Sequence, residues 1–288
     1  MPVSLQDVAM QDHDPELART IDAITGRYGA ETLAVAFEEL ETGRSFFRDE
    51  RVILHAASTM KVPVMLAIFE AIDRRELSLD QPVVVENRFV SIFDGSTYAI
   101  AQSDDSDTDL YASTSESKPL GELMHRMIVR SSNLATNLLI QRVGADRVMA
   151  LMRSLGANDI RVLRGVEDQK AFDAGMNNTT TAYDLMLVMK AIAERKAISP
   201  AASEAMIDIL RAQEFRSKIP AGLPPGVMVA HKTGNITRIS HDAAIVYPPA
   251  RSPYVLIVLT RGIADENAAS RAIAEVSRAI WDWAAPSL

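Results

Sequence analysis

The sequence predicts an α/β (α+β) chain: a five-stranded antiparallel sheet flanked by terminal helices, with a large all-helical insertion between its strands. Three observations carry that expectation. Two stretches near the start, 33–40 and 44–47, and three near the end, 227–230, 243–247 and 255–259, are rich in β-branched and apolar residues and read as strands. Between them, residues 58–213 are dominated by apolar residues spaced three and four apart, the period of helices. Helical patterns at 14–28 and 268–283 bracket the whole. On this reading residues 1–57 and 214–288 form an α/β subdomain and 58–213 a helical one. The crevice between the two is where a site is expected.

Taken in order, the first helix presents Leu17, Ile21 and Ile24 on one face and closes at Gly29. Strands 33–40 and 44–47 join through Glu41-Thr42-Gly43, a hairpin turn. A helix opens at Ser58, with Met65, Phe69 and Ile72 on one face and Pro63 near its start, where a missing N–H is harmless. A short strand is expected at 82–86, then a polar stretch at 94–117 that is long for a loop and so should border a site or the surface. Helices follow at 120–127, 132–143 and 146–155, the last two closed by Gly144 and Gly156. Residues 160–179 read as irregular and 180–195 as helical. Ser199-Pro200 caps a helix through Gln213, and Pro220 and Pro225 break the chain before the last strands.

Composition narrows the function classes. The 288 residues are 48% hydrophobic and 24% charged, with a net charge of −8. Such a surface argues against nucleic acid or an anionic membrane as the main partner. With no cysteine, the chain makes no disulfide and uses no thiolate chemistry. Its five histidines lack metal-ligand spacing. Asp105, Asp107, Asp109 and Glu116 imitate the alternating acids of a calcium loop, but Leu110 stands where that loop needs glycine. Neither a metal nor a cofactor is expected. Residues 1–20 show no basic and apolar leader, and no run reaches the ~18 apolar residues of a membrane span.

Three short motifs carry chemistry. Ser58-Thr59-Met60-Lys61 puts a hydroxyl at a helix start and an amine one turn later on the same face. Alone it reads more readily as a Ser N-cap followed by a solvated lysine, and Ser115-Glu116-Ser117-Lys118 repeats the spacing in what reads as loop. Ser131-Ser132-Asn133 opens another helix, and Lys232-Thr233-Gly234 sits at a strand end. Their order, spacing and placement together are more specific than any one of them. The set resembles that of the class A β-lactamase and penicillin-binding serine hydrolase superfamily. Asn133-Leu134-Ala135-Thr136-Asn137 is similar to the family's helix after the second motif, and His241-Asp242-Ala243-Ala244-Ile245 to its strand after the third.

The resemblance implies a monomeric hydrolase that opens β-lactam rings through an acyl-Ser58 ester, with antibiotic resistance as the physiological setting. It also admits a D-alanyl carboxypeptidase, an esterase, or a penicillin-binding sensor that acylates without turnover. Lys61 would take the Ser58 proton, its pKa lowered by burial and by Lys232. Ser131 would relay a proton to the leaving nitrogen. Asn133 would hold a substrate amide carbonyl, while Lys232, Thr233 and Arg238 would hold its carboxylate, with Gly234 and Asn235 beside them in the substrate-binding set. Arg238 is equally an exposed strand charge. The oxyanion hole implied is the backbone N–H groups of Ser58 and Asn235. Glu167, in Arg164-Gly165-Val166-Glu167-Asp168-Gln169-Lys170, matches the glutamate that activates water for deacylation, and Asp168 is its rival. Four departures stand out. Asp168 replaces a proline, Lys170 an asparagine that helps hold the water, Asn178 an aspartate that closes the loop by an ion pair, and Ser132 an aspartate. The family works outside the cytoplasm, yet no export signal is visible, so the compartment stays open.

Overall fold

In the computed structural model, which describes residues 14–249 and 251–285, strands from both ends of the chain meet in one sheet. In chain order the elements are α1 (Pro15–Tyr28), β1 (Thr32–Glu39), β2 (Ser45–Arg48), β3 (Leu54–His55) and α2 (Lys61–Asp73), the last preceded by a 3-10 turn at Ala57–Met60. Then come β4 (Pro82–Val84), β5 (Phe89–Val90), β6 (Thr97–Tyr98), β7 (Ser117–Pro119), α3 (Leu120–Val129), α4 (Asn133–Val143) and α5 (Ala145–Ser154). The rest is α6 (Gln169–Asp173), β8 (Thr179–Thr180), α7 (Ala182–Ala193), α8 (Pro200–Arg211), β9 (Met228–Ile236), β10 (Ile239–Tyr247), β11 (Tyr254–Arg261) and α9 (Glu266–Trp283). The main sheet runs β2-β1-β11-β10-β9, antiparallel throughout. This is the five-stranded α+β architecture expected.

The sheet is buried on both faces, which explains the unbroken apolar run of β1. Leu33, Val35 and Phe37 alternate toward one side, where they share a core with Leu17, Ile21 and Ile24 of α1 and Ile273 and Val276 of α9. Ala34 and Ala36 face the other side, with Ala243, Ile245 and Ile257, against Leu185, Met189 and Ile192 of α7. Small alanines there leave room for α7 to lie close on the strands.

Several expectations change in detail. The insertion is not all helical: β4 pairs with β7, β5 with β6 and β3 with β8, in two-stranded ladders. Ser117 and Lys118 are strand rather than loop, because that segment completes a ladder on residues 82–84. The 94–117 stretch, read as polar loop, holds two 3-10 turns at Gln102–Asp104 and Thr108–Ser113. β9 and β10 extend well beyond their β-branched cores, because buried polar residues from His231 to Thr233 continue the β9 ladder against β10. Nor is α2 one-faced: from Lys61 to Phe69 every side chain is buried, as befits a helix packed on all sides.

Candidate active site

The candidate cleft opens between the N-terminus of α2, the 163–178 loop, the 104–107 loop and the edge strand β9. It has a volume of roughly 510 Å³, and its walls include Ser58, Asp104, Asn133, Glu167 and Asn235. Ser58 sits in the 3-10 turn that starts α2. The approach is fixed by backbone bonds: β3 pairs with β8, Ala56 N–H donates to the Asn178 carbonyl at 2.9 Å, and Ala57 N–H to His55 Nδ1 at 3.0 Å. That His55 ring is neutral, its pKa lowered to about 4 by burial and by Arg164. Ala57 takes φ +45°, a left-handed conformation costing a β-carbon residue ~1–3 kcal/mol. It turns the chain sharply just before Ser58. Ser58 is not an N-cap; its turn has no side-chain cap, and Thr59 N–H closes the turn onto the Ala56 carbonyl at 3.1 Å.

β9 presses against this turn at Gly234. A β-carbon there would lie 3.0 Å from Ser58 N and 3.1 Å from Thr59 N, a contact tight enough to push the backbone back. Glycine at 234 therefore lets strand and nucleophile approach. β9 is the sheet edge, so alternate N–H groups are free of ladder bonds. The Asn235 side chain is occupied elsewhere: its Oδ1 accepts from Lys218 Nζ and its Nδ2 donates to Glu266.

Two amines meet at one hydroxyl. Lys61 Nζ donates to the Ser131 carbonyl (2.7 Å), Ser131 Oγ (3.2 Å) and Asn133 Oδ1 (2.8 Å). Lys232 Nζ donates to Ser131 Oγ at 2.9 Å and to the Thr233 carbonyl at 2.8 Å. Both lysines are 0% exposed. Burial pulls Lys61 down to about 7, against the opposing pull of Asp105 and Glu167. Burial, then repulsion from Lys61 and Lys218, also holds Lys232 well below its ordinary value. A hydroxyl both donates and accepts, so Ser131 can pass a proton between the cleft and either amine. Ser131 itself takes φ +58° in the corner between α3 and α4.

Asn133 joins this cluster to the loop carrying Glu167. Its Nδ2 donates to Glu167 Oε1 at 3.1 Å and to the Asp104 carbonyl at 2.9 Å. Desolvation of the carboxylate raises the Glu167 pKa, and the charge of Asp104 adds to that. Asn137, one turn along α4, clamps the preceding residue: its Oδ1 accepts from Val166 N and its Nδ2 donates to the Val166 carbonyl. Gly165 is required by that clamp, since a β-carbon would sit 2.3 Å from Asn137 Oδ1.

The departures resolve differently. Asp168 is buried and accepts from Ser91 Oγ (2.8 Å), Ile92 N (3.0 Å) and Ala171 N (3.1 Å), capping α6; it has no role left as a rival base. Lys170 turns outward to Asp94, at 2.7 Å. Asn178 closes the loop without charge, accepting from Leu163 N and Arg164 N and donating to the Arg164 carbonyl. Arg238 is not brought to the cleft. It lies in the β9–β10 turn at φ +58°, next to Ile236 and Thr237 of the cleft wall, but its guanidinium turns to Glu31 and the Gly262 carbonyl.

Sequence reasoning overlooked three residues. Lys218 is buried behind β9, bonded to the Gly234 and His241 carbonyls and Asn235 Oδ1, with its pKa lowered by burial to about 8. Asn137 carried a signal, a polar residue four after Asn133 on the same helical face. Asp105 read as a failed calcium ligand. Among the described residues no cluster of acids and histidines could hold a metal ion, and no helix is long and apolar enough to cross a membrane.

Comparison with known proteins agrees with this geometry. The family profile described as "Beta-lactamase enzyme family" matches residues 16–284. A β-lactamase of Streptomyces lavendulae is 24% identical over 255 residues, 86% of this chain and 79% of that one. The alignment with the Bacillus licheniformis β-lactamase is shorter, covering 54% of that protein. Among solved structures, the β-lactamase from Sphaerobacter thermophilus is 26% identical with a TM-score of 0.78, over 92% of this chain and 95% of that one. A mutant of PBP-A, solved as its acyl-enzyme complex with penicillin G, is 27% identical with a TM-score of 0.77, over 93% and 96%. The chain belongs to the beta-lactamase enzyme family, as a hydrolase of the β-lactamase type.

Proposed function

We propose that this protein is a serine β-lactamase of the class A type. The observation that carries the reading is the meeting of Lys61 and Lys232 on Ser131 Oγ, with Asn133 linking that cluster to Glu167. Neutral Lys61 takes the Ser58 proton as Oγ attacks the lactam carbonyl. In the resting cleft Lys61 bonds Ser131 and Asn133, so attack follows a shift of its amine when substrate enters. The tetrahedral oxygen accepts from the N–H groups of Ser58 and Asn235. Collapse breaks the C–N bond, and the proton passes through Ser131 to the nitrogen. In the second half Glu167 takes a proton from water, which attacks the ester, and Ser58 leaves with its proton restored. Asn133 holds the substrate's side-chain amide, and Lys232 with Thr233 its carboxylate. Arg238, bonded to Glu31, drops out of that set.

One observation favours a second reading, slow release of the acyl group. With Lys170 turned to Asp94, nothing from that position helps Glu167 hold the water. Mixing the purified protein with penicillin and following intact mass over time separates the readings. A transient adduct on Ser58, with hydrolysis of a chromogenic cephalosporin, is expected. A persistent adduct favours a penicillin-binding sensor. No adduct, but turnover of D-Ala-D-Ala peptides or aryl esters, would move the assignment to a related acyl-serine hydrolase.

A further inference from the structure

We propose that Asp105 is a positioning residue for catalysis: from a separate loop, it supplies the carboxylate that the family pattern puts at position 132, and it holds the Ser131–Asn133 corner against Lys61. The inference rests on the acyl-serine reading above. Ser132 is neutral and short, and its hydroxyl caps only Ala135 N, at 3.2 Å. The remaining donors at the start of α4 point to Asp105. Its Oδ1 accepts from Asn133 N at 3.0 Å and its Oδ2 from Leu134 N at 2.8 Å. Asp107 N, Tyr111 Oη and the Ser132 hydroxyl complete the shell at 3.0, 3.1 and 3.4 Å. The carboxylate, 5% exposed, therefore sits at the positive end of α4 with donors on both oxygens.

Its loop is stapled in place. Asp107, buried behind it, pairs with Arg126 at 3.0 Å and Arg130 at 3.3 Å, tying the loop to the end of α3. Ser106 Oγ donates to the Arg130 carbonyl at 2.6 Å, and the Asp104 carbonyl accepts from Asn133 Nδ2. Residues 104–107 thus grip both sides of Ser131, whose φ of +58° is unfavourable for serine and needs outside support. The acid also acts on the chemistry. Lys61 faces two carboxylates, Asp105 and Glu167, and the Lys232 amine across Ser131; Asp105 is the stronger of the two that favour its ammonium form. Loss of Asp105 should loosen the corner and lower the Lys61 pKa at once. A purely structural residue would do only the first.

The test uses the full-length protein with Asp105→Asn, Ser132→Asp and the two combined. Acylation by penicillin G is measured against pH, and the Lys61 titration is followed by NMR with side-chain-labelled lysine. Asp105→Asn should slow acylation on the order of 10²-fold and move the acid limb, and the Lys61 midpoint, downward by about one pH unit. The double variant, with its carboxylate back on α4, should recover to within about tenfold of wild type with both midpoints restored. Wild-type acylation rates in Asp105→Asn, an unmoved Lys61 midpoint, or a double variant no faster than Asp105→Asn would overturn the proposal. If Asp105→Asn does not fold, a folded and reactive double variant supports it and an unfolded one refutes it. Should the wild type take no acyl group, the acyl-serine reading fails, while the Lys61 midpoint still decides the role of Asp105.

Discussion

The two halves of the cleft are built on different principles. The Ser58, Lys61, Ser131 and Lys232 side lies on the 3-10 turn before α2, on α2 itself, on β9 and on the α3–α4 corner, and its amines are sealed from water. The Glu167 side is a loop, closed by amide bonds at Asn178 and pinned at Val166 by Asn137. Removing a proton from serine needs an amine desolvated enough to be neutral, and only rigid packed elements can hold two buried lysines together. Activating water needs access to solvent, which a loop provides. On the proposed mechanism, the site divides its tasks by how much water each group tolerates.

The sharpest way to break that division is to remove one proposed base from each side. Lys61→Met should reduce acylation on the order of 10³-fold or more. Glu167→Gln should leave acylation within about tenfold of wild type and slow deacylation on the order of 10²–10⁴-fold, trapping the adduct. Stopped-flow acylation and time-resolved intact mass read the two steps separately. If both variants slow the same step, the halves are not independent.

The pH profiles sharpen the contrast. On the proposed mechanism acylation needs neutral Lys61, so its rate should rise with pH through about 7, the value to which burial lowers that amine. The proposed deacylation needs ionised Glu167, whose pKa is raised by burial and by Asp104. Its limb should lie above the ordinary carboxylate range and on the acid side of the acylation limb. Single-turnover measurements across pH would show two limbs, and one common limb would contradict the assignment.

Much of this was legible in the chain itself. Two of the three motifs stand at element starts that periodicity could locate, those of α2 and α4; the third, read as a strand end, lies inside β9, which continues to Ile236. What stayed hidden was relational. Asp105 and Lys218 act through partners 28 and 17 positions away, Asn133 and Asn235, and no local pattern links such pairs. Asp168 looked like a rival base because residue type records a carboxylate but not the three donors that occupy it. The polar ends of β9 and β10 escaped a strand criterion built on β-branched residues, because their pairing is enforced by the sheet around them.

A smaller effect is expected at Gly165. Gly165→Ala would drive a methyl group into Asn137, whose amide is already committed to both polar groups of Val166. Relief requires the loop to shift, at a cost of ~1–3 kcal/mol in stability. Because that clamp carries Glu167 and not Lys61, deacylation should fall more than acylation. Thermal unfolding together with the separated rates checks both parts, and an equal loss in the two steps would place the clamp in the rigid half instead.

Arg238 should give the smallest effect, and it sets the border of the cleft. Its guanidinium and the Glu31 carboxylate are 54% and 55% exposed, so the pair is screened and contributes ~0–1 kcal/mol. Beside the cleft the proposed carboxylate partner is then Lys232, with Lys218 behind the strand, and burial lowers the pKa of both amines. Arg238→Ala should change kcat/KM for a carboxylate-bearing lactam by less than about threefold, whereas loss of a cation that touches that carboxylate would raise KM on the order of tenfold or more. A large KM increase would mean that substrate draws Arg238 away from Glu31. The anion site would then extend around the β9–β10 turn, and the rigid half of the cleft would owe part of its substrate affinity to a mobile surface residue.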